Sequence, residues 1–172
     1  MLRKTFLATL CASTLITAIA PVYAAPIQEL KSEQGTLEVT PIVEGLDHPW
    51  ALAFLPDRQG MLVTERPGNL RLVSADGKLS APLDGVPKVW AKGQGGLLDV
   101  VLSPDFKQDR TVYLSYAEGG GEGDKAGTAV GRGRLTDDLT AIKDFKVIFR
   151  QEPKLSVGNH FGSRLVFDRD GY

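Results

Sequence analysis

From Gly35 onward the apolar residues alternate with polar ones or come in short blocks, and none recur at helical spacing. This pattern predicts strands at Leu37–Val43, Ala51–Leu55, Met61–Thr64 and Leu70–Val73. It predicts further strands at Leu97–Leu102, Thr111–Tyr116, Thr128–Leu135, Lys146–Phe149 and Arg164–Phe167. Turn formers punctuate them: Pro56-Asp57, Pro67-Gly68-Asn69, Asp76-Gly77, Pro104-Asp105 and Asp170-Gly171. The expectation is an all-β chain.

The strands repeat as a unit. Leu52-Ala53-Phe54-Leu55-Pro56-Asp57 is echoed by Val100-Val101-Leu102-Ser103-Pro104-Asp105, and more loosely by Leu165-Val166-Phe167-Asp168-Arg169-Asp170. The spacing is close to the ~45 residues and four strands of a propeller blade. Such a blade buries its faces only against neighbouring blades, so copies must stack around an axis. A β-sandwich would explain short strands but not a repeated strand–Pro-Asp–strand unit. The pattern therefore predicts a β-propeller, incomplete here, with about two blades and the start of a third. Because propellers usually need four to eight blades, the expectation is the front part of a longer protein.

The first residues read as an address. Arg3 and Lys4 precede an uncharged apolar run from Thr5 to Ile19; Pro21 then breaks it, and Val22-Tyr23-Ala24 offers small residues to a signal peptidase. Residues 1–24 are expected to be an export signal cleaved after Ala24, leaving 25–172 as the mature chain in the periplasm or secreted. The run is shorter than the ~20 residues of a bilayer span, so no membrane span is expected after cleavage. Cys11 has no small residue before it, which disfavours lipid attachment.

Composition narrows the chemistry. The chain has 172 residues, 42% hydrophobic and 24% charged, with 20 basic against 21 acidic side chains. Such balance lacks the basic surface of a nucleic-acid binder. A single cysteine excludes a disulfide framework and a cysteine-based zinc site. Cleavage would remove that cysteine and two basic residues, taking the formal net charge from −1 to −3. The exported domain would then depend on its core alone.

Aligning the repeats places His48, Gln94 and His160 in the turns that enter the first strand of each unit. If those strands line the axis, the three side chains gather at one mouth of the channel, where loops from several blades converge. Gln94 lies in Lys92-Gly93-Gln94-Gly95-Gly96, where glycines allow close approach by a ligand or by neighbouring backbone. His160, in Gly158-Asn159-His160-Phe161-Gly162, reads either as a general base or as a histidine bonded within a turn. His48, followed by Pro49 and Trp50, reads as a rigid corner. The glycine-rich Gly121–Ala126 stretch lacks the βαβ context of a dinucleotide site. Arg132 and Arg134 read as a solvated strand edge, and Asp168 and Asp170 as a hairpin turn.

Four ordered motifs resemble the quinoprotein aldose sugar dehydrogenases, relatives of soluble glucose dehydrogenase. They are His48–Pro56, Gly93–Val100, Ser103-Pro104-Asp105-Phe106 and Gly158–Gly162. The similarity runs from about Gly45 to Tyr172. It implies a six-bladed propeller that binds pyrroloquinoline quinone, with calcium holding the cofactor, and that oxidises an aldose sugar and passes electrons to an external acceptor. It implies that His160 takes the proton from the anomeric hydroxyl while hydride passes to the quinone, and that Gln94 faces cofactor and sugar. Asn159 stands where glucose-specific relatives carry an aspartate and is a candidate sugar contact. Ser163 departs from the glycine common at its place.

The family's calcium ligands and most quinone contacts are expected beyond this chain, so no residue here is assigned to metal, and the 172 residues alone are expected to be inactive. Two other readings are a non-catalytic propeller that binds a ligand or partner, and a metal-dependent sugar lactonase.

Overall fold

The computed structural model describes residues 28–121 and 123–172. The expected export signal, Cys11 and the cleavage point lie outside them, as does Glu122 of the glycine-rich stretch. The chain divides into two compact units, Met1–Pro41 and Ile42–Tyr172.

In the first unit, β1 (Gln28–Ser32) and β2 (Gly35–Val39) form an antiparallel hairpin. The strand expected at Leu37–Val43 thus begins earlier and stops at Val39. Pro41 follows closely and has no N–H to add to a ladder. The sequence Gln-Glu-Leu-Lys-Ser carries no strand signature, so β1 was not foreseen.

The second unit holds two antiparallel meanders. The first contains β3 (Pro49–Phe54), β4 (Met61–Glu65) and β5 (Asn69–Val73). Beside β5, the N–H groups of Ser80 and Leu83 donate to the carbonyls of Leu72 and Leu70, so residues 79–83 occupy the outer position of this sheet. The second meander runs in order through β6 (Leu97–Leu102), β7 (Thr111–Gly119), β8 (Ala126–Leu135) and β9 (Ile142–Arg150). A helical turn follows each first strand: a 3-10 turn at Pro56–Arg58 and α1 (Phe106–Asp109). These turns are the repeated Pro-Asp signal in three dimensions.

The first strands of the two sheets, β3 and β6, lie side by side. Consecutive meanders joined in this way are two blades of a partial β-propeller. Their shared layer is the core: Leu62, Leu70, Leu97, Val112, Leu114 and Leu135 have no exposed surface, with Tyr116 beside them. Burying each such leucine contributes about 1.5–3 kcal/mol. On β8, exposed Arg132 and Arg134 alternate with buried Gly131, Gly133 and Leu135, so a strict period of two turns charge away from this layer.

One expected strand is absent. Among the described residues no strand follows Arg150, and 164–167 makes no ladder. The reason is local: Leu165 N–H donates to the Asp99 carboxylate, and the Ser163 carbonyl accepts from the Ser115 hydroxyl. The turn after it does form, with Asp168 Oδ1 accepting from the N–H groups of Asp170 and Tyr172.

Glu118, near the end of β7, binds the end of β9 and the segment after it. Its carboxylate accepts from Lys154 Nζ at 2.8 Å and Arg150 Nε at 2.9 Å. Glu118 and Lys154 are mostly buried, with side chains 19% and 14% exposed. Burial alone would push the Glu118 carboxyl up, but the two cations outweigh it and hold the group below its ordinary value of 4.5. A depressed carboxyl contributes stability that is complete above the unfolded-state value and is lost as pH falls through the lower folded-state value. Acid titration should therefore raise protease sensitivity or amide exchange at residues 150–155 as pH drops below 4.5. Glu118→Gln should abolish that pH dependence and cost about 1–3 kcal/mol at neutral pH.

Candidate functional site

Three chain segments meet at the end of the sheets where β3 and β6 begin. Arg66 extends from the end of β4, and its guanidinium donates to the carbonyls of Gly93 and Gly95 at 3.1 and 3.3 Å. Between those carbonyls stands Gln94. Its N–H donates to Gly158 O at 2.8 Å, and its side-chain Oε1 accepts from the His160 N–H at 2.9 Å. Gln94 and His160, 66 residues apart, are thereby brought together, two of the three side chains that the repeat alignment places at one mouth; His48, the third, does not join the cavity they line.

The glycines around Gln94 serve neighbouring chain. A Cβ on Gly95 would lie 2.5 Å from Trp90 O and 2.7 Å from the indole. One on Gly96, where φ is +144°, would lie 2.1 Å from Arg66 O. Trp90 in turn packs on Phe161, with ring centroids 5.9 Å apart, so the indole supports both the Gln94 and the His160 loop.

The His160 loop has no ladder and is held by side chains instead. Thr128 Oγ1 donates to Phe161 O at 2.6 Å, and Ser115 Oγ donates to Ser163 O at 2.7 Å. Three of its residues take left-handed backbone: His160 (φ 61°), Gly162 (φ 64°) and Ser163 (φ 100°). A serine thus occupies a conformation that glycine adopts more easily, the place where the resemblance led us to expect glycine.

A cavity of about 450 Å³ opens here, lined by Trp50, Arg66, Gln94, Leu98 and the stretch from His160 to Ser163. His160 and Gln94 are exposed on its wall. Asn159 is exposed beside His160 but is not among the lining residues. His48 also lies outside the lining: its ring engages the Asp47 carboxylate, and its carbonyl accepts from Arg66 N–H. With φ at 49°, His48 serves as a corner.

Sequence reasoning missed Trp50 and Arg66. It compared only strand entrances, whereas Arg66 follows a strand exit. Glu65 pairs with Pro49 across the β3–β4 ladder, so that exit lies at the same end of the sheet as the β3 entrance. Among the described residues no three His, Cys, Asp or Glu side chains are grouped to hold a metal ion.

The arrangement offers an exposed imidazole, a carboxamide and a cation around an open cavity with an indole on its wall. The family model for glucose/sorbosone dehydrogenases matches residues 46–172. The chain belongs to that family. It is 60% identical over 158 residues to the aldose sugar dehydrogenase YliI of Escherichia coli (strain K12), covering 92% of this chain and 40% of that protein. The apo structure of the soluble aldose sugar dehydrogenase from Escherichia coli superposes with a TM-score of 0.69 at 68% identity, over 71% of this chain and 35% of that one. The PQQ-bound aldose sugar dehydrogenase from Streptomyces coelicolor does so with a TM-score of 0.62 at 30% identity, over 76% and 37%. This member of the glucose/sorbosone dehydrogenase family therefore spans about two-fifths of the length of its Escherichia coli relative.

Gly95→Ala tests the packing of the Gln94 loop. The added methyl must displace Trp90, so the expected outcome is a loss of about 1–3 kcal/mol in denaturant unfolding, with a red shift of tryptophan emission as the indole gains solvent.

Proposed function

We propose that this chain forms the N-terminal part of a PQQ-dependent oxidoreductase that oxidises the anomeric carbon of aldose sugars. The observation that carries the reading is the bond from His160 N–H to Gln94 Oε1, which holds an imidazole and a carboxamide on one cavity. His160 acts as the general base. Imidazole is the side chain whose ordinary titration range lies nearest neutrality, and His160 is open to the cavity. It accepts the proton of the anomeric hydroxyl as the C1–H bond breaks and the carbonyl forms. The quinone, when bound, supplies the acceptor for the C1 hydride.

The residues present suit such a cofactor. A planar, anionic group fits a cavity of this size with the Arg66 cation, the Gln94 amide and the Trp50 ring on its wall. Gln94 would face both cofactor and sugar, and Asn159, beside the base, is the second candidate sugar contact. Calcium takes oxygen ligands that include backbone carbonyls; no residue of this chain is assigned to it and no step depends on it. An external acceptor would re-oxidise the quinone. The N-terminal pattern supports export to the periplasm or beyond; among the described residues no helix is long and apolar enough to cross a membrane.

The test uses a chain carrying this sequence at the length of its relatives, assayed with PQQ, an aldose and a dye acceptor. His160→Ala should lower dye reduction about 10²- to 10⁴-fold, with unchanged circular dichroism and retained quinone binding by absorbance titration. Gln94→Ala should weaken quinone retention. Undiminished turnover in His160→Ala would refute the assignment of the base.

A further inference from the structure

Asp99 is a buried carboxylate with no part in the chemistry above. It lies on β6 among the buried apolar residues Leu97, Leu98 and Val100, and is 1% exposed. An aspartate is a poor strand former, and its charge is costly to bury unless fully bonded. Both oxygens are used, and on one short stretch: Oδ1 accepts from Arg164 Nη1 and Oδ2 from Leu165 N–H, each at 2.7 Å. The Asp99 N–H donates to Ser115 Oγ at 3.0 Å, and that hydroxyl donates to Ser163 O. Asp99 and its cross-strand neighbour thus grip three consecutive residues. Arg164 also sits over the Trp50 ring, 5.4 Å from its centroid, and Trp50 lines the cavity.

We infer that Asp99 is a positioning residue for His160, an inference that rests on the proposed base role. The His160 loop has no ladder bonds and holds left-handed backbone at His160, Gly162 and Ser163. Such conformations persist only where the surroundings over-determine them. The Asp99 carboxylate supplies that determination from the first strand of the second blade. It fixes the downstream end of the loop, while Gln94 fixes the upstream end through Gly158 and His160. Through Arg164 it also holds the guanidinium against Trp50.

Asp99→Asn keeps size and removes the charge. In the full-length holoenzyme this substitution should lower kcat about 10- to 100-fold, the scale of a displacement near 1 Å, with KM for the sugar and quinone affinity unchanged. Amide exchange at 158–165 should accelerate while β7 and β8 stay protected. In a His160→Ala background, Asp99→Asn should produce no further loss, since a positioning residue has nothing left to position. An equal loss in both backgrounds, or unchanged exchange at 158–165, would overturn the inference. Should Asp99→Asn not fold, Ser115→Ala removes the hydroxyl that links the Asp99 N–H to Ser163 O and carries the same expectations. A wild-type chain that reduces no dye would sink the proposed function instead; exchange at 158–165 in Asp99→Asn would then decide the anchoring alone.

Discussion

Each of the two meanders in the second unit can hide one apolar face only by lending it to the other. Leu62 and Leu70 from the first meander and Leu97, Val112 and Leu114 from the second form one sealed layer. That shared layer brings β3 and β6 together, and with them the turns that enter both strands. Gln94 and Arg66 meet because of it. Their hydrogen bonds, each worth only about 0.5–1.5 kcal/mol net, could not assemble the site alone. They set the geometry of loops that hydrophobic burial has already delivered.

Polar groups inside the layer do a different job. Thr64, Glu65, Asp99 and Ser115 are buried, and among the described residues no buried side-chain polar atom lacks a partner. All four reach out of their own sheet or ladder: Thr64 to Leu98 O, Glu65 to Asp47 N–H, Ser115 to Ser163 O and Asp99 to Leu165 N–H. Apolar contacts bring the blades together without fixing their register, whereas a hydroxyl or carboxylate aimed at one backbone atom does fix it. The segment after Arg150 depends most on such bonds, because its backbone pairing with a strand is confined to Gln151 and Leu155 against β8.

Strand existence was legible wherever alternation met a turn signal. The seven strands from β3 to β9 all overlap their predicted ranges, with ends displaced by a few residues. The failure at 164–167 is instructive. Its apolar run, Leu165-Val166-Phe167, is as long as Met61-Leu62-Val63 of β4, yet strand formation needs a partner, and here Asp99 and Ser115 claim the backbone groups. The convergence of Gln94 and His160 was readable from repeat phase, since equal positions in successive blades lie at the same end of the sheets. Arg66 was not, because phase says nothing about which neighbouring turn reaches across; Trp50 was not, because phase singles out a strand entrance without saying which of its side chains faces the cavity. Asp99 looked like a defect in an apolar strand, and only its partners give it meaning.

The left-handed backbone at His160 limits what could ever replace it. Asparagine, aspartate and histidine enter that region several times more readily than other side chains, and β-branched residues scarcely at all. Variation at this position is therefore sieved by conformation before chemistry, and threonine or valine would be rejected even if the reaction could use them. The residue types that tolerate the bend include the two classes able to take up a proton near neutrality, imidazole and a raised carboxylate. The shape of the loop thus narrows the evolutionary choice at the position proposed for the base before any substrate arrives.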